Sequence, residues 1–370
     1  MRTTTVLGKI LNTALSIKRP HGSATNVRFT QWLREQLPLE LNKAAFYDGA
    51  GNLHVDNRSQ ASHRTLFVAH VDTVHRNEGK NKITKTKTHW RAKGDVLGAD
   101  DGAGVALLMH LIWGGIRGYY IFTQGEERGG VGARYLAEKQ QDLLKEFDRA
   151  IAFDRRGIDS VITHQGWGRC CSDTFGSALA DALMGGHDAL MMLNDDTGVY
   201  TDTAEFTDII PECTNISVGY AREHTQEESL DLVYYNNLAA AVLTVNWDAL
   251  PVERDPSVVE PVQDYATGSW WQSYKTHTSS QYAYDPANDE PDYDREDAID
   301  AVLDAQYGHY DGLANLIAES VWPDDTGLAV RHMNFKGLKP SSLDWALECL
   351  EHGEDVNLIL DSLFDELHFA

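Results

Sequence analysis

Four short apolar runs break off into polar residues, and this pattern constrains the fold more than any other feature of the chain. They are TLFVAH (65–70), GYYIFTQ (118–124), RAIAFD (149–154) and TNISVGY (214–220). A run without alternation reads as a strand covered on both faces, the kind found inside parallel sheets. Stretches with helical spacing separate the runs. Val105, Leu108, Met109 and Ile112 recur along a helix expected to start near Asp101 and stop at Gly114-Gly115. Further helices are expected over 131–141, in DTFGSALADALM (173–184), and in a closing segment YYNNLAAAVLTVNWDAL (234–250). Strands alternating with helices imply an α/β fold, a three-layer sandwich with a mostly parallel central sheet.

Polar patches fall just past the strand ends: His70 with Asp72, Asp100-Asp101, Glu126-Glu127, Asp154, and His224. In open α/β sheets the crevice outside the carboxyl ends of the strands is where ligands bind, so these residues can converge in space. The set holds imidazoles and carboxylates and no thiol, which suits zinc, cobalt or manganese rather than a structural thiolate site. Residues two apart on a strand share a face, so Asp72 can orient the His70 ring. Adjacent Glu126 and Glu127 repel unless one binds a cation and the other stays free as a base. Taken singly, each patch has a bland explanation: a satisfied core histidine, a solvated acidic turn, a salt bridge from Asp154 to Arg155 or Arg156. Asp202 reads as a turn-fixing residue, and His187 and His164 are fallbacks for His224. Arg155, Arg156 or Arg222 could grip a substrate carboxylate. GGVGAR (129–134) lacks the spacing of a nucleotide loop.

Charge divides the chain. The net charge is −24, yet residues 255–370 carry 24 acidic and 5 basic residues against 32 and 27 in the first 254. The expected organisation is a catalytic domain over 1–254, an acidic linker over 255–295 and a small acidic α-helical appendage over 296–370. This balance excludes nucleic-acid binding through a basic surface. The acidic C-terminal region is left to contact a basic partner or its own catalytic domain. No apolar run reaches membrane-spanning length, and the N-terminus lacks a secretory pattern. Cys170, Cys171, Cys213 and Cys349 do not form a disulfide framework, so a cytoplasmic setting with reduced thiols is expected.

The motifs AHVDTV, LGADDGAG, QGEERGG, AFDRRG and EHTQEE occur in the order seen in the co-catalytic dinuclear zinc peptidases. That group includes peptidase T, the glutamate carboxypeptidases and the bacterial zinc aminopeptidases. The resemblance covers roughly residues 1–250, and LGADDGAGVALLM is especially similar to the peptidase T type. It implies a zinc exopeptidase-like fold holding two divalent ions, zinc first, with cobalt or manganese possible. It implies that His70 and Asp154 bind one ion, Glu127 and His224 the other, with Asp100 bridging. Glu126 is then the general base acting on a metal-bridged hydroxide, Asp72 supports His70, and Asp101 caps the helix that follows. Asp154 to His224 is too short for the separate inserted domain of some relatives, which favours the compact aminopeptidase-like arrangement. The implied activity is hydrolysis of short peptides by an exopeptidase, an aminopeptidase first, with oligomers possible. The competing readings are an amidohydrolase of N-acyl amino acids, and a non-catalytic acidic binding protein on a peptidase scaffold.

Overall fold

The computed structural model describes residues 3–165 and 168–258, together with Leu343 and Ala346. All but the last two belong to one unit, Met1–Val262. Apart from residues 255–258, Leu343 and Ala346, the acidic linker and helical appendage expected from the sequence lie outside the described residues.

Eight strands form the central sheet: β1 (Phe46–Tyr47), β2 (Leu53–Asp56), β3 (Thr65–His70), β4 (Tyr119–Thr123), β5 (Arg149–Arg155), β6 (Ser160–Ile162), β7 (Leu193–Asp195) and β8 (Glu212–Ser217). Their order is β7-β6-β8-β5-β3-β4-β2-β1. The middle of the sheet, β8-β5-β3-β4, is parallel throughout, and β6 pairs β7 in parallel. The pairings of β6 with β8, β4 with β2, and β2 with β1 are antiparallel. The four apolar runs supply the four parallel middle strands. The short strands β6 and β7 have no such run and are not visible in the sequence pattern.

Alternation along each middle strand divides its side chains between two cores. Phe67, Ala69, Tyr120, Phe122, Ile151 and Phe153 join one apolar cluster, and Leu66, Val68, Tyr119, Ile121 and Ala150 join the other. The first is covered by α1 (Thr3–Leu15), α2 (Ala24–Glu35), α3 (Ala99–Gly114), α5 (Asp173–Gly186) and α6 (Leu232–Ala241). The second is covered by α4 (Val131–Lys139) and the Phe206–Cys213 region. The result is the expected sandwich.

The helix α3 is buried over its whole length from Ala99 to Ile112, because α1 lays Val6, Leu7, Ile10, Leu11, Ala14 and Leu15 into the same core. A helix apolar on every side is one with neighbours on every side. It ends at Gly115, whose φ of 81° closes the last turn with N–H bonds to Ile112 and Leu111. The closing segment is helical only to Ala241, after which Val242–Val245 leaves the helix and Trp247–Ala249 forms a 3-10 turn. The polar 76–95 stretch folds as part of a separate antiparallel sheet. Its Ile83–Lys85 and His89–Ala92 pair with each other, and His89–Ala92 also pairs with Ser229–Asp231, which pairs with Tyr220–Ala221. Between Asp154 and His224 the described chain builds β6, α5, β7 and β8, all part of the same sandwich.

No helix among the described residues is long and apolar enough to cross a membrane. Cys170, Cys171 and Cys213 are buried free thiols.

Candidate metal centre

The sequence-expected residues meet at the carboxyl ends of β3, β4 and β5. His70 is the last residue of β3, and its side chain is 1% exposed. Asp154 stands near the end of β5, in the next strand of the sheet. Glu126 and Glu127 lie just past β4, in a 3-10 turn over Glu126–Arg128. Gly125 makes that turn possible with a φ of 72°, a left-handed backbone that side chains disfavour. Asp100 lies at the entry to α3 with non-helical φ/ψ of −79° and 106°, and a cis peptide joins it to Asp101.

Asp100 is the hub. Its Oδ1 is 2.9 Å from His70 Nε2, and its Oδ2 is 3.1 Å from His224 Nε2. Glu127 Oε2 lies 3.2 Å from the same His224 nitrogen. On the other side, Asp154 Oδ1 and Glu126 Oε2 lie 3.7 and 3.9 Å from His70 Nε2. Three overlapping groups follow: His70, Asp100 and Asp154; Asp100, Glu127 and His224; and His70, Glu126 and Glu127. In each, one candidate donor atom per residue lies within 4.8 Å of the others. Asp202 belongs to none of these groups. It is buried at the start of a 3-10 turn and accepts a hydrogen bond from Thr123.

Asp72 does more than steady an imidazole. His70 Nδ1 lies 3.2 Å from the Asp72 carbonyl oxygen and 3.6 Å from its Oδ1. The Asp72 carboxylate also accepts N–H bonds from Gly125, Glu126 and Glu127 at 2.8, 3.2 and 3.3 Å. One buried acid therefore ties the end of β3 to the turn that carries both glutamates. Asp101 caps α3, accepting the Gly104 N–H at 2.9 Å. Gly104 has no room for a side chain, since a Cβ there would sit 2.5 Å from the Phe153 carbonyl oxygen. The helix thus packs directly onto the strand that carries Asp154.

Two hydroxyls missed by sequence reasoning hold Asp154. Thr201 donates to Oδ2 at 2.7 Å, and Tyr220 donates to Oδ1 at 3.0 Å. Neither lies in a motif, and a lone Thr or Tyr carries no signal of its own. The arginines considered for substrate binding are engaged with acids: Arg155 with Asp195, Arg156 with Glu223, Arg222 with Glu227. His187 ends helix α5 instead of joining the cluster.

The electrostatics are those of crowded acids around few cations. Burial pushes Glu126 well above the usual carboxyl range, opposed by His70 and reinforced by Glu127, Asp154 and Asp202. Glu127 is raised to about 6 by burial and by Asp100, against the pull of His224. Burial works to lower His70, but Asp154, Asp100 and Asp72 together raise it well above its ordinary value. Glu127 Oε1 is buried with no hydrogen-bond partner. Five carboxylates, two imidazoles and an orphaned buried oxygen fit divalent cations, whose charge reverses this pKa pattern.

A family model described as peptidase family M28 matches residues 52–306. The chain belongs to peptidase family M28. It is therefore a peptidase, from the group that the five motifs resemble. Among solved structures, the M28 chain is similar in fold to the aminopeptidase PepT from Bacillus cereus, with a TM-score of 0.53, 15% identity, and coverage of 66% of this chain and 98% of that one. A tripeptidase from Staphylococcus aureus gives a TM-score of 0.53 at 15% identity, covering 66% of this chain and 97% of that one. An aminopeptidase from the archaeon Desulfurococcus kamchatkensis gives 0.52 at 13% identity, covering 65% and 94%. No curated protein matches the chain in sequence.

Proposed function

We propose that this M28 peptidase is a metal-dependent exopeptidase that removes residues from the amino end of short peptides. The observation that carries the reading is the Asp100 carboxylate, with one imidazole at each oxygen. A shared acid between two donor groups is what two neighbouring cations require. In this reading His70, Asp100 and Asp154 hold one ion, and Asp100, Glu127 and His224 hold the other. Zinc is the first choice, and the same donors suit cobalt or manganese. The amino-end preference draws support from fold relatives described as aminopeptidases and a tripeptidase. A cytoplasmic setting belongs to the same proposal, in keeping with three unpaired core thiols.

When bound, divalent ions supply Lewis acidity to the attacking water and to the scissile carbonyl. The chain's own groups do the rest. Glu126 accepts the proton that water gives up as its oxygen bonds to the carbonyl carbon. It returns that proton to the amide nitrogen as the C–N bond breaks, so one water is consumed per bond cleaved. Asp72 fixes where that proton carrier stands, because it holds the Gly125, Glu126 and Glu127 amides. Tyr220 and Thr201 keep the Asp154 carboxylate from turning away.

The test is hydrolysis of unblocked di- and tripeptides and of their N-acylated forms, after chelation and reloading with zinc or cobalt. Cleavage of the unblocked peptides, lost on chelation and restored by metal, is expected. Glu126→Gln should lower kcat by about 10³-fold while two equivalents of metal remain bound. Cleavage of the N-acylated forms alone would replace this reading with a deacylase. Full activity in Glu126→Gln would remove Glu126 from the chemistry.

A further inference from the structure

The entry to α3 has an electrostatic lock that no motif role accounts for. Three consecutive backbone amides, those of Gly98, Ala99 and Asp100, point at one side chain. Glu228 Oε2 accepts from Gly98 at 2.9 Å, and Oε1 accepts from Ala99 at 2.7 Å and from Asp100 at 3.1 Å. Glu228 is fully buried, as is Ala99. These donors have no helical partners, because the first amides of a helix never do. The chain at Asp100 and Asp101 also departs from helical geometry, so ordinary helix bonding does not hold this stretch in place. Glu228 is four residues beyond His224 and one before the Ser229–Asp231 strand. It therefore ties the segment presenting Asp100 to the segment presenting His224.

A buried cation stands behind the same junction. The Arg19 guanidinium is fully buried and donates from Nε to the Val71 carbonyl at 2.8 Å. It lies close enough to Asp72, Asp101 and Glu228 to feel all three charges. A carboxyl fully surrounded by protein is thus met by three amide N–H donors, with a guanidinium nearby, where an unmatched one would be strongly unfavourable.

We propose that Glu228 is a positioning residue for the metal centre: by gripping the Gly98–Asp100 backbone it sets the aim of the Asp100 carboxylate and its register with His224. The inference rests on the two-ion reading given above. Its content is that the grip is tuned for ligand placement and is not just a helix cap. A cap alone would affect folding. A positioning grip must also affect how tightly the second ion is held and how fast the bound peptide reacts.

The experiment uses the full chain. Glu228→Gln keeps one oxygen for Ala99 and Asp100 but turns an NH2 group toward the Gly98 N–H. A control, Leu183→Ala, removes a buried contact in α5 away from the centre and lowers thermal stability without touching it. Metal titration of each metal-free chain, the visible spectrum of the cobalt-loaded forms, and kcat and KM on an unblocked dipeptide are measured. The expected result for Glu228→Gln is an affinity for the second ion weakened by at least ~10-fold, an altered cobalt spectrum, and kcat lower by at least ~10-fold with KM within about twofold. Leu183→Ala should show none of these changes. If Glu228→Gln binds two ions as tightly as the wild type with an unchanged spectrum and kcat, the inference is overturned. If both variants lose activity in proportion to lost stability, it is also overturned.

Should Glu228→Gln fail to fold, hydrogen exchange on the wild-type chain decides. The Gly98, Ala99 and Asp100 amides should exchange far more slowly than those of the exposed Thr225–Glu227 stretch, with and without chelator. Equal exchange would show that no grip exists. A wild-type chain that takes up fewer than two ions and cleaves no peptide would instead overturn the functional reading itself.

Discussion

The two halves of the candidate metal centre are built from different material. His70 and Asp154 stand at the ends of neighbouring middle strands, with side chains 1% and 6% exposed. Asp154 is further held by two hydroxyls. The other half pairs Glu127, in a 3-10 turn, with His224, whose side chain is 49% exposed and whose φ is 63°. His224 lies in the loop between two short strands of the small sheet. In the first half, folding has already met the cost of ordering the ligands, because the sheet fixes their backbones and packing fixes their rotamers. In the second, an exposed imidazole still has freedom to lose when it binds. The buried half should hold its ion more tightly and exchange it more slowly. The open half is expected to be where solvent and substrate arrive.

Asp100 belongs to both halves, so its removal should erase the difference between them. Asp100→Ala is expected to bind fewer than two ions and to lose at least roughly 10³-fold in kcat/KM. Losing even an outer-shell partner typically costs about 10–100-fold, and in the proposed two-ion arrangement both ions would lose a direct ligand. Metal analysis after gel filtration with a peptidase assay measures both. Two tightly bound ions in this variant would break the bridge assignment.

The paired variants His70→Ala and His224→Ala separate the halves. His224→Ala should stay folded, keep one tight equivalent of metal and lose the weaker one. His70→Ala should lose the tight equivalent and also destabilise the protein, since it takes a buried imidazole from among the Asp100, Glu126 and Asp154 carboxylates. Isothermal titration with zinc and thermal melts of the metal-free forms distinguish the two. Identical behaviour of both variants would mean that burial does not set the order of affinity.

Much of this centre was legible because strand ends announce themselves. An apolar run stopping at His70 or Asp154 marks both a buried strand and the rim of the ligand crevice, and the sheet then brings distant residues together. Glu126-Glu127 and Asp100-Asp101 were legible only together with the other motifs, because each acid pair taken singly reads as a solvated turn. The hidden parts depend on three-dimensional neighbours with no sequence period. Tyr220 and Thr201 reach Asp154 across 66 and 47 residues, and a single hydroxyl looks like any other. Asp72 was read as a support for His70 only. Its grip on three amides follows from how the Gly125 turn folds back, which spacing does not reveal. The outlying strands β6 and β7, three residues each, are too short to show alternation.

A pH experiment sharpens the comparison in the metal-free chain. Burial works to lower His224, but Glu127 and Asp100 raise it well above its ordinary value, as their counterparts raise His70. Folded imidazoles then keep protons that the unfolded chain sheds near pH ~6.5. Their contribution is full below that value and is lost as the pH climbs through the raised folded value. Burial also lifts Glu127 to about 6, and Asp202 and Glu228 to about 7. These acids hold protons in the folded state that the unfolded chain releases near pH ~4–4.5, so stability falls as pH rises from there to the folded values of about 6 and 7. Both sets have the same sign. With chelator, Tm should drop by roughly 5 °C or more from pH ~5.5 to ~8, and excess zinc should reverse the slope, because binding requires deprotonated ligands. In His224→Ala most of the chelated slope should remain if the buried half carries it. A flat chelated profile would mean that the acids and imidazoles are not crowded as described.

The smallest effect comes from the hydroxyl that most directly makes the buried half rigid. Tyr220→Phe leaves the ring in its core position and removes only the donor to Asp154 Oδ1. A hydrogen bond to a charged group contributes about 1.5–3 kcal/mol at most, and the Thr201 bond to Oδ2 survives, so the loss should sit near the lower end. The expected result is a roughly 10-fold lower affinity for the tighter ion, with the weaker one unchanged. That selectivity matters more than the size of the change. Zinc competition against a chelating dye, which resolves the two affinities, reads it directly. If Tyr220→Phe weakens both ions equally, or weakens the open half more, prior locking of Asp154 is not what separates the two halves, and exposure of His224 alone must account for the difference.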